Sequence, residues 1–328
     1  MMSSSALLAF ALFATTLQPY EAVEPHMGTL FRIKLYAASE QQAQQAFRAA
    51  FARIAQLDDE LSDYKPDSEL NRLARSAVKR PQPASEDLVR VVGAAEQLSE
   101  KTDGAFDITI GPLTHLWRAA VKVHQLPSAE AIAAARAKCG FRKLHVNLQA
   151  HTICFDESGM QLDAGAIAKG DAADQALFVL KQLGIQSALV AASGDLAFSD
   201  APPGEAGWKI GVDSLDRADA PFTRVLLLAN GAVSTSGPSE QHLDINGVRY
   251  SHIIDPRTGM GLTRDLTVTV IAAHGLAADP LATALSVLGP ERGLALIDSI
   301  PGAAALVVQD ENGRHTLSKS KRFPTVEQ

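Results

Sequence analysis

The chain of 328 residues has only two cysteines, Cys139 and Cys154. That excludes a disulfide framework and any zinc site built from four thiolates. The pair forms either one disulfide in an oxidising compartment or two buried free thiols. There is also no Lys/Arg-rich run. The net charge is −7 and the pI about 5.7, which argues against nucleic acid as the main partner. Basic residues cluster mildly only near the end, at Lys319, Lys321 and Arg322. The only long apolar run is ALLAFALFATTL at 6–17, too short to span a bilayer comfortably and so no integral membrane segment. Its length fits the apolar part of an export signal, although no Lys or Arg precedes it. We read 1–19 as a leader and 20–328 as one domain. Export implies a periplasmic or outer-face location, with no following Cys to take a lipid; without cleavage the chain stays cytoplasmic. No internal repeat, low-complexity tract or linker breaks the rest.

What is present alternates between strand and helix signals. Residues 29–36 (TLFRIKLY) alternate as a strand, and 39–61 carry apolar positions Ala43, Ala46, Phe47, Ala50, Ile54 and Leu57 at helical spacing. A polar turn leads into a short helix across 61–73, a second long helix covers 85–101, and 102–113 reads as Gly-rich and irregular. Helices are expected at 128–138, 170–183, 279–288 and 291–298. Strands are expected at 187–192, 208–212, 224–229, 248–254 and 266–272, with hairpins at 143–148/152–155 and 303–308/315–318. The elements interleave without regular βα alternation. The expected fold class is therefore α+β: a single mixed domain of antiparallel strands and helices.

The most informative stretch is Ala278-Asp279-Pro280-Leu281-Ala282-Thr283. Positions i and i+4 share a helix face, so Asp279 and Thr283 aim two hard oxygens at one point, as Mg²⁺ prefers. Pro280 favours a first turn and would put Asp279 at the helix start. The same residues also read as an N-cap aspartate followed by a threonine bonded to its own backbone. Four more polar, Gly-punctuated segments accompany it: His26–Thr29, Asp103-Gly104-Ala105-Phe106-Asp107, the run 163–170 (DAGAIAKG), and 251–259 (SHIIDPRTG). Each alone is an ordinary turn as readily as a ligand cradle. His115, His124, His145, His151 and His274 have no consistent spacing and read as structural or exposed.

Together, in this order and spacing, the segments resemble the FAD:protein FMN transferase (ApbE) family. The likeness runs from about Tyr20 to Asp298. It includes Leu61-Ser62-Asp63-Tyr64, Gly111-Pro112-Leu113 ahead of Leu116-Trp117, and Ser234-Thr235-Ser236-Gly237. The resemblance implies cleavage of FAD, with FMN attached through its phosphate to a Thr or Ser of a partner flavoprotein and AMP released. It implies a flavin site in a central cleft, and Mg²⁺, or Mn²⁺, held by Asp279, Thr283 and the Ala166 carbonyl. It implies contact of Met27, Tyr64, Ala105, Phe106, Asp107, Lys169, His252 and Ile253 with FAD. Met27 and Phe106 fit equally as core residues, Tyr64 as a surface tyrosine, and Lys169 as an exposed lysine opening a helix. Asp279 and His252 are the catalytic candidates; His252 either accepts the proton of the acceptor hydroxyl or contacts phosphate. Asp255 and Arg257 are expected to pair and hold their loop. Two departures stand out. Ser193 in Ala191-Ala192-Ser193-Gly194-Asp195 replaces a glycine, and Pro238-Ser239-Glu240-Gln241 replaces an aromatic-basic pair. The same residues would also serve a Mg²⁺-dependent FAD pyrophosphatase or an exported flavin-binding protein without catalysis.

Overall fold

The computed structural model describes residues 16–212, 224–237, 242–311 and 314–324. Most of the leader run and the whole of 238–241 lie outside the described residues. The first strand, Gln18–His26, starts within the span read as leader. No helix among the described residues is long and apolar enough to cross a membrane.

The α+β reading holds. One eight-stranded sheet runs in the order Gln18–His26, Thr29–Ala37, Ala188–Ala192, Asp195–Phe198, Gly231–Ser236, Asp265–Ala272, Ala304–Glu311 and Arg314–Lys319. Every neighbouring pair is antiparallel. The strand Ala304–Glu311 shows how the sequence places the sheet between two layers. Ala305 and Val307 enter the main core, while Ala304, Leu306 and Val308 enter a second core on the opposite face. Successive side chains point to opposite faces, so a strand buried on both sides reads as a continuous apolar run. Trp208, Ile210, Val212 and Leu226, from the ribbon of Trp208–Val212 and Arg224–Leu228, cover the second face.

The main core is built by helices, numbered in chain order as α1 (Glu40–Leu61), α2 (Glu69–Ser76), α3 (Glu86–Lys101), α4 (Gly111–Val123), α5 (Ala129–Ala137), α6 (Ala168–Gln182), α7 (Gly275–Leu288) and α8 (Pro290–Ser299). Helix α1 is capped by the Ser39 hydroxyl, which accepts from the Gln42 amide. It buries Ala43, Phe47, Ala50, Ile54 and Leu57 along one stripe. Helices α1, α6 and α7 pack side by side under the sheet. Charges clamp them. Asp171 of α6, 1% exposed, accepts two bonds from Arg90 of α3 at 3.0 and 2.8 Å. Arg90 shares Asp87 with Arg53 of α1.

Four features depart from the sequence reading, the first being the strand Gln18–His26, in a span where no strand was expected. Helix α4 begins inside the segment expected to be irregular; Pro112 in its first turn supplies a helical φ where no side-chain cap exists. The strands Asp195–Phe198, Gly231–Ser236 and His242–Ile245 were not expected, being short and rich in small or polar residues. Helix α7 starts at Gly275, not at 279, so Pro280 lies within the helix and Asp279 is no N-cap. The cap comes from elsewhere: Asp174 of α6 accepts from the Gly275 and Leu276 amides at 2.8 and 2.9 Å. A carboxylate at the positive end of a helix satisfies amides that the local sequence leaves open. Cys139 is buried and Cys154 half-buried, and both are free thiols.

The starts of α6 and α7 meet backbone to backbone. A Cβ built on Gly170 would strike the Gly275 carbonyl and lie 2.9 Å from Asp279 Cβ; one on Gly275 would strike the Gly170 carbonyl. Gly275→Ala should therefore push the helices apart and destabilise the protein by about 1–3 kcal/mol, the usual cost of overpacking. Urea unfolding measures this, and an alanine variant as stable as the wild type contradicts the contact.

Candidate functional site

The junction of α6 and α7 brings together Lys169, Asp195 and Asp279. The loop before α6 turns on Asp163, whose Oδ1 accepts from the Gly165 amide at 2.8 Å. It exposes Gly165, leaves Ala166 half-buried and then enters α6, with Lys169 in the first turn. An ammonium at the positive end of a helix is unfavourable by itself. Here it contacts the Asp195 carboxylate directly and lies 3.7 Å from Asp279 Oδ2. Asp195 sits just past a tight turn between two strands, and its other oxygen accepts from Ser234 Oγ at 2.5 Å. Asp279 is 3% exposed, and the Gly170 amide donates to its Oδ2 at 3.2 Å.

Two buried carboxylates thus share one ammonium. Burial first, and then Asp195, push the Asp279 carboxyl up to about 7, against the opposing pull of Lys169 and the Gly170 amide. Thr283 lies one turn further along α7, half-buried. Among the described residues its hydroxyl has no hydrogen-bond partner, whereas Ser286 nearby bonds back to the Ala282 carbonyl at 2.9 Å. The threonine is therefore not spent on its own helix. Asp279 and Thr283 share one face of α7, and with the Ala166 carbonyl they would make an all-oxygen donor set of the kind that suits Mg²⁺ or Mn²⁺. Among the described residues no group of three or more His, Cys, Asp or Glu gathers to hold a metal.

A second polar group borders the same loop. Arg118 of α4 pairs with Asp63 and, at 3.3 Å, with Asp163. Its guanidinium lies 4.1 Å from the Tyr64 ring centroid, over a side chain 71% exposed. His115 contributes through Asp63 at 3.7 Å and Gln161 at 3.0 Å. Burial and the nearby Asp163 raise the Asp63 carboxyl, while Arg118 lowers it.

The remaining expected residues take distinct places. Ala105, Phe106 and Asp107 are buried. Asp107 is engaged at both oxygens, by the Thr109 amide and hydroxyl at 2.8 and 2.7 Å and by the Phe141 amide at 2.9 Å, so it braces its loop. Burial raises its carboxyl, and those hydrogen bonds oppose the rise. Ile253 packs with Ala105 and with Val287 of α7, joining three segments. His252 beside it is exposed. Its loop is closed by Ser251 and Leu262 amides bonded to the Leu262 and Ile253 carbonyls, at 2.7 and 2.8 Å. Trp117 Nε1 of α4 pins that loop through the Gly259 carbonyl at 2.8 Å. Asp255 and Arg257 pair as expected, at 2.7 Å. Met27 stands apart from these contacts. It occupies a two-residue hairpin turn with Gly28, both at positive φ (49° and 73°), and its side chain packs on the main core.

Contacts therefore join the 103–107, 163–170 and 251–259 segments and α7, and Arg118 adds Tyr64. Ser193 adopts φ 56°, the left-handed region that glycine takes more cheaply. The turn keeps its shape because Gly194 follows it: a Cβ there would lie 2.5 Å from the Thr235 carbonyl. Sequence reasoning missed the parts played by Asp195, Ser234, Asp174 and Arg118. Asp171 and Asp174 stood as acids three apart in an alanine-rich helix, a signal that both are buried and partnered.

Against known proteins, the ApbE family model matches residues 27–307. An "FAD:protein FMN transferase" of Klebsiella pneumoniae (strain 342) is 35% identical over 297 residues, covering 88% of this chain and 84% of its own length. A protein of the same name from Vibrio cholerae serotype O1 (strain ATCC 39541 / Classical Ogawa 395 / O395) is 30% identical over 326 residues, covering 97% of both chains. The crystal structure of the flavinyl transferase ApbE of Pseudomonas stutzeri, apo form, superposes with a TM-score of 0.82 at 34% identity, over 95% of this chain and 97% of that one.

The raised Asp279 carboxyl has a measurable sign. Folded, it holds its proton up to about 7; its ordinary value is 3.8. Its contribution to metal-free stability is complete below about 4 and is lost as pH rises through 7. Between pH 5 and 8, urea unfolding in chelator should show a smaller loss of stability for Asp279→Asn than for the wild type. An equal loss in both contradicts the assignment.

Proposed function

This chain belongs to the ApbE family, and we propose that it is an FAD:protein FMN transferase. In this reading it joins FMN through its phosphate to a Thr or Ser hydroxyl of a partner flavoprotein and releases AMP. The observation that carries the reading is the buried Asp279 carboxylate, set one helical turn from an uncommitted Thr283 hydroxyl and beside the Lys169 ammonium. A flavin store needs a pocket but no such pairing of hard oxygens with a phosphate-binding cation.

Asp279, Thr283 and the Ala166 carbonyl would hold Mg²⁺ or Mn²⁺. When bound, the ion supplies neutralisation of pyrophosphate charge and polarisation of the bond that breaks. Lys169 adds a point charge for the phosphates. Met27, Tyr64, the 105–107 run and Ile253 border the flavin and adenine ends. With Ala105, Phe106 and Asp107 buried, that run would meet FAD mainly through its backbone. The acceptor oxygen forms a new bond to the FMN phosphorus, the bond to the AMP phosphate breaks, and AMP leaves with the electron pair. The acceptor proton passes to His252, which is exposed where a protein acceptor can reach it. The apolar run at 6–17 supports export of the chain, so that it works outside the cytoplasm on exported acceptors.

Incubation with FAD, Mg²⁺ and a candidate acceptor tests the reading. Transfer gives protein-bound flavin fluorescence that survives SDS electrophoresis. It should be lost with chelator and in Asp279→Ala, and Zn²⁺ should not restore it. Free FMN without labelled protein would mean hydrolysis instead, and intact FAD would mean binding only; either result overturns the proposal.

His252→Asn separates proton transfer from binding. If His252 accepts the proton, the saturated rate should fall about 10²–10⁴-fold with FAD affinity nearly unchanged. Weakened FAD binding at an unchanged saturated rate would make it a contact residue only.

A further inference from the structure

We propose that Asp195 is a positioning residue that holds the Lys169 ammonium away from Asp279, keeping that carboxylate open to a divalent cation. The inference rests on Asp279 being the metal-binding carboxylate.

The geometry is a choice between two anions. Lys169, on the first turn of α6, stands between Asp195 from the sheet and Asp279 from α7. Its ammonium is in direct contact with Asp195 but 3.7 Å from Asp279. Both acids are almost wholly enclosed, with side chains 7% and 4% exposed, so neither charge is screened by water. Asp195 is anchored independently of the lysine. It leaves a tight turn in register with Ser234 on the neighbouring strand, and the Ser234 hydroxyl fixes its Oδ1 at 2.5 Å. That leaves Oδ2 aimed at Lys169. On Asp279, the Gly170 amide already occupies Oδ2, the oxygen nearer the lysine.

A divalent cation arriving at Asp279 repels an adjacent ammonium, which then needs another partner. Asp195 is that partner, and the Lys169–Asp195 pair is neutral as a unit. Remove the Asp195 charge and the ammonium is drawn to Asp279, already within ion-pair distance at 3.7 Å. Lysine and metal would then compete for one carboxylate. Ser234 acts one step further back, by fixing Asp195.

A double-mutant cycle in Mn²⁺ affinity, measured by titration calorimetry or Mn²⁺ paramagnetic resonance without FAD, tests this. The proteins are the wild type, Asp195→Asn, Lys169→Met and the double variant, each checked for folding by its thermal melt. Asp195→Asn should weaken Mn²⁺ binding about 10–100-fold, as loss of supporting residues around metal ligands does. Most of that loss should vanish in the Lys169→Met background, where no ammonium competes. Ser234→Ala should show a smaller loss with the same dependence on Lys169, and serves if Asp195→Asn is unstable. Wild-type affinity in Asp195→Asn overturns the proposal, and so does an equal loss in both backgrounds, which would mean that Asp195 acts only by its own charge. Asp279→Asn is the control for the premise: unchanged Mn²⁺ affinity there would remove Asp279 as the ligand, a failure separate from that of the cycle.

Discussion

Everything at the site depends on the backbone contact where α6 and α7 begin. Gly170 and Gly275 leave no room for a Cβ on either side. Two hydrogen-bonded links fix the approach: the Gly170 amide to Asp279, and Asp174 to the first amides of α7. The links run in opposite directions, one from the α6 backbone to an α7 side chain and one from an α6 side chain to the α7 backbone. The helices therefore cannot slide without breaking both. The start of α6 and the Asp279 carboxylate, more than 100 residues apart in sequence, are thereby held in one fixed arrangement.

The same packing makes the site electrostatically costly. Enclosing Asp279 and Asp195 with a single lysine leaves an excess of negative charge in a dry setting, and the raised Asp279 carboxyl is its signature. A folded core does not arrange such an imbalance for stability; apolar side chains of like volume would serve better there. The Arg90–Asp171 pair ties α6 to α3, and the Arg53–Asp87 pair ties α3 to α1.

Much of this was legible in the sequence, for identifiable reasons. Helix α1 announces itself by a stripe at 3.6-residue spacing and a serine cap, and it lies within a residue of its expected span. The Asp255–Arg257 pair is local and was readable as such. What stayed hidden depends on partners distant in sequence. The true start of α7 is set by Asp174, 101 residues earlier, so Pro280 misled as a boundary mark. The strands carrying Asp195 and Ser234 are four and six residues long, and neither shows a strong periodic signal. Asp195 was visible as a residue but not as a partner of Lys169, because only the sheet order brings them together.

The two halves of the site are held by different physics. Around Asp279, buried backbone contacts and enclosed charges fix positions whose movement would disturb the main core. Around Tyr64, the ring is exposed and held mainly by the Arg118 guanidinium, which also braces Asp63 and Asp163. Elements with few buried contacts open at lower free energy than core helices. The Tyr64 side is thus the less tightly held of the two, and the Asp279 side the more fixed. Arg118 joins them, because it also pairs with Asp163, whose Oδ1 shapes the turn before α6. One side chain, Arg118, thus links the exposed Tyr64 ring to the loop that enters α6.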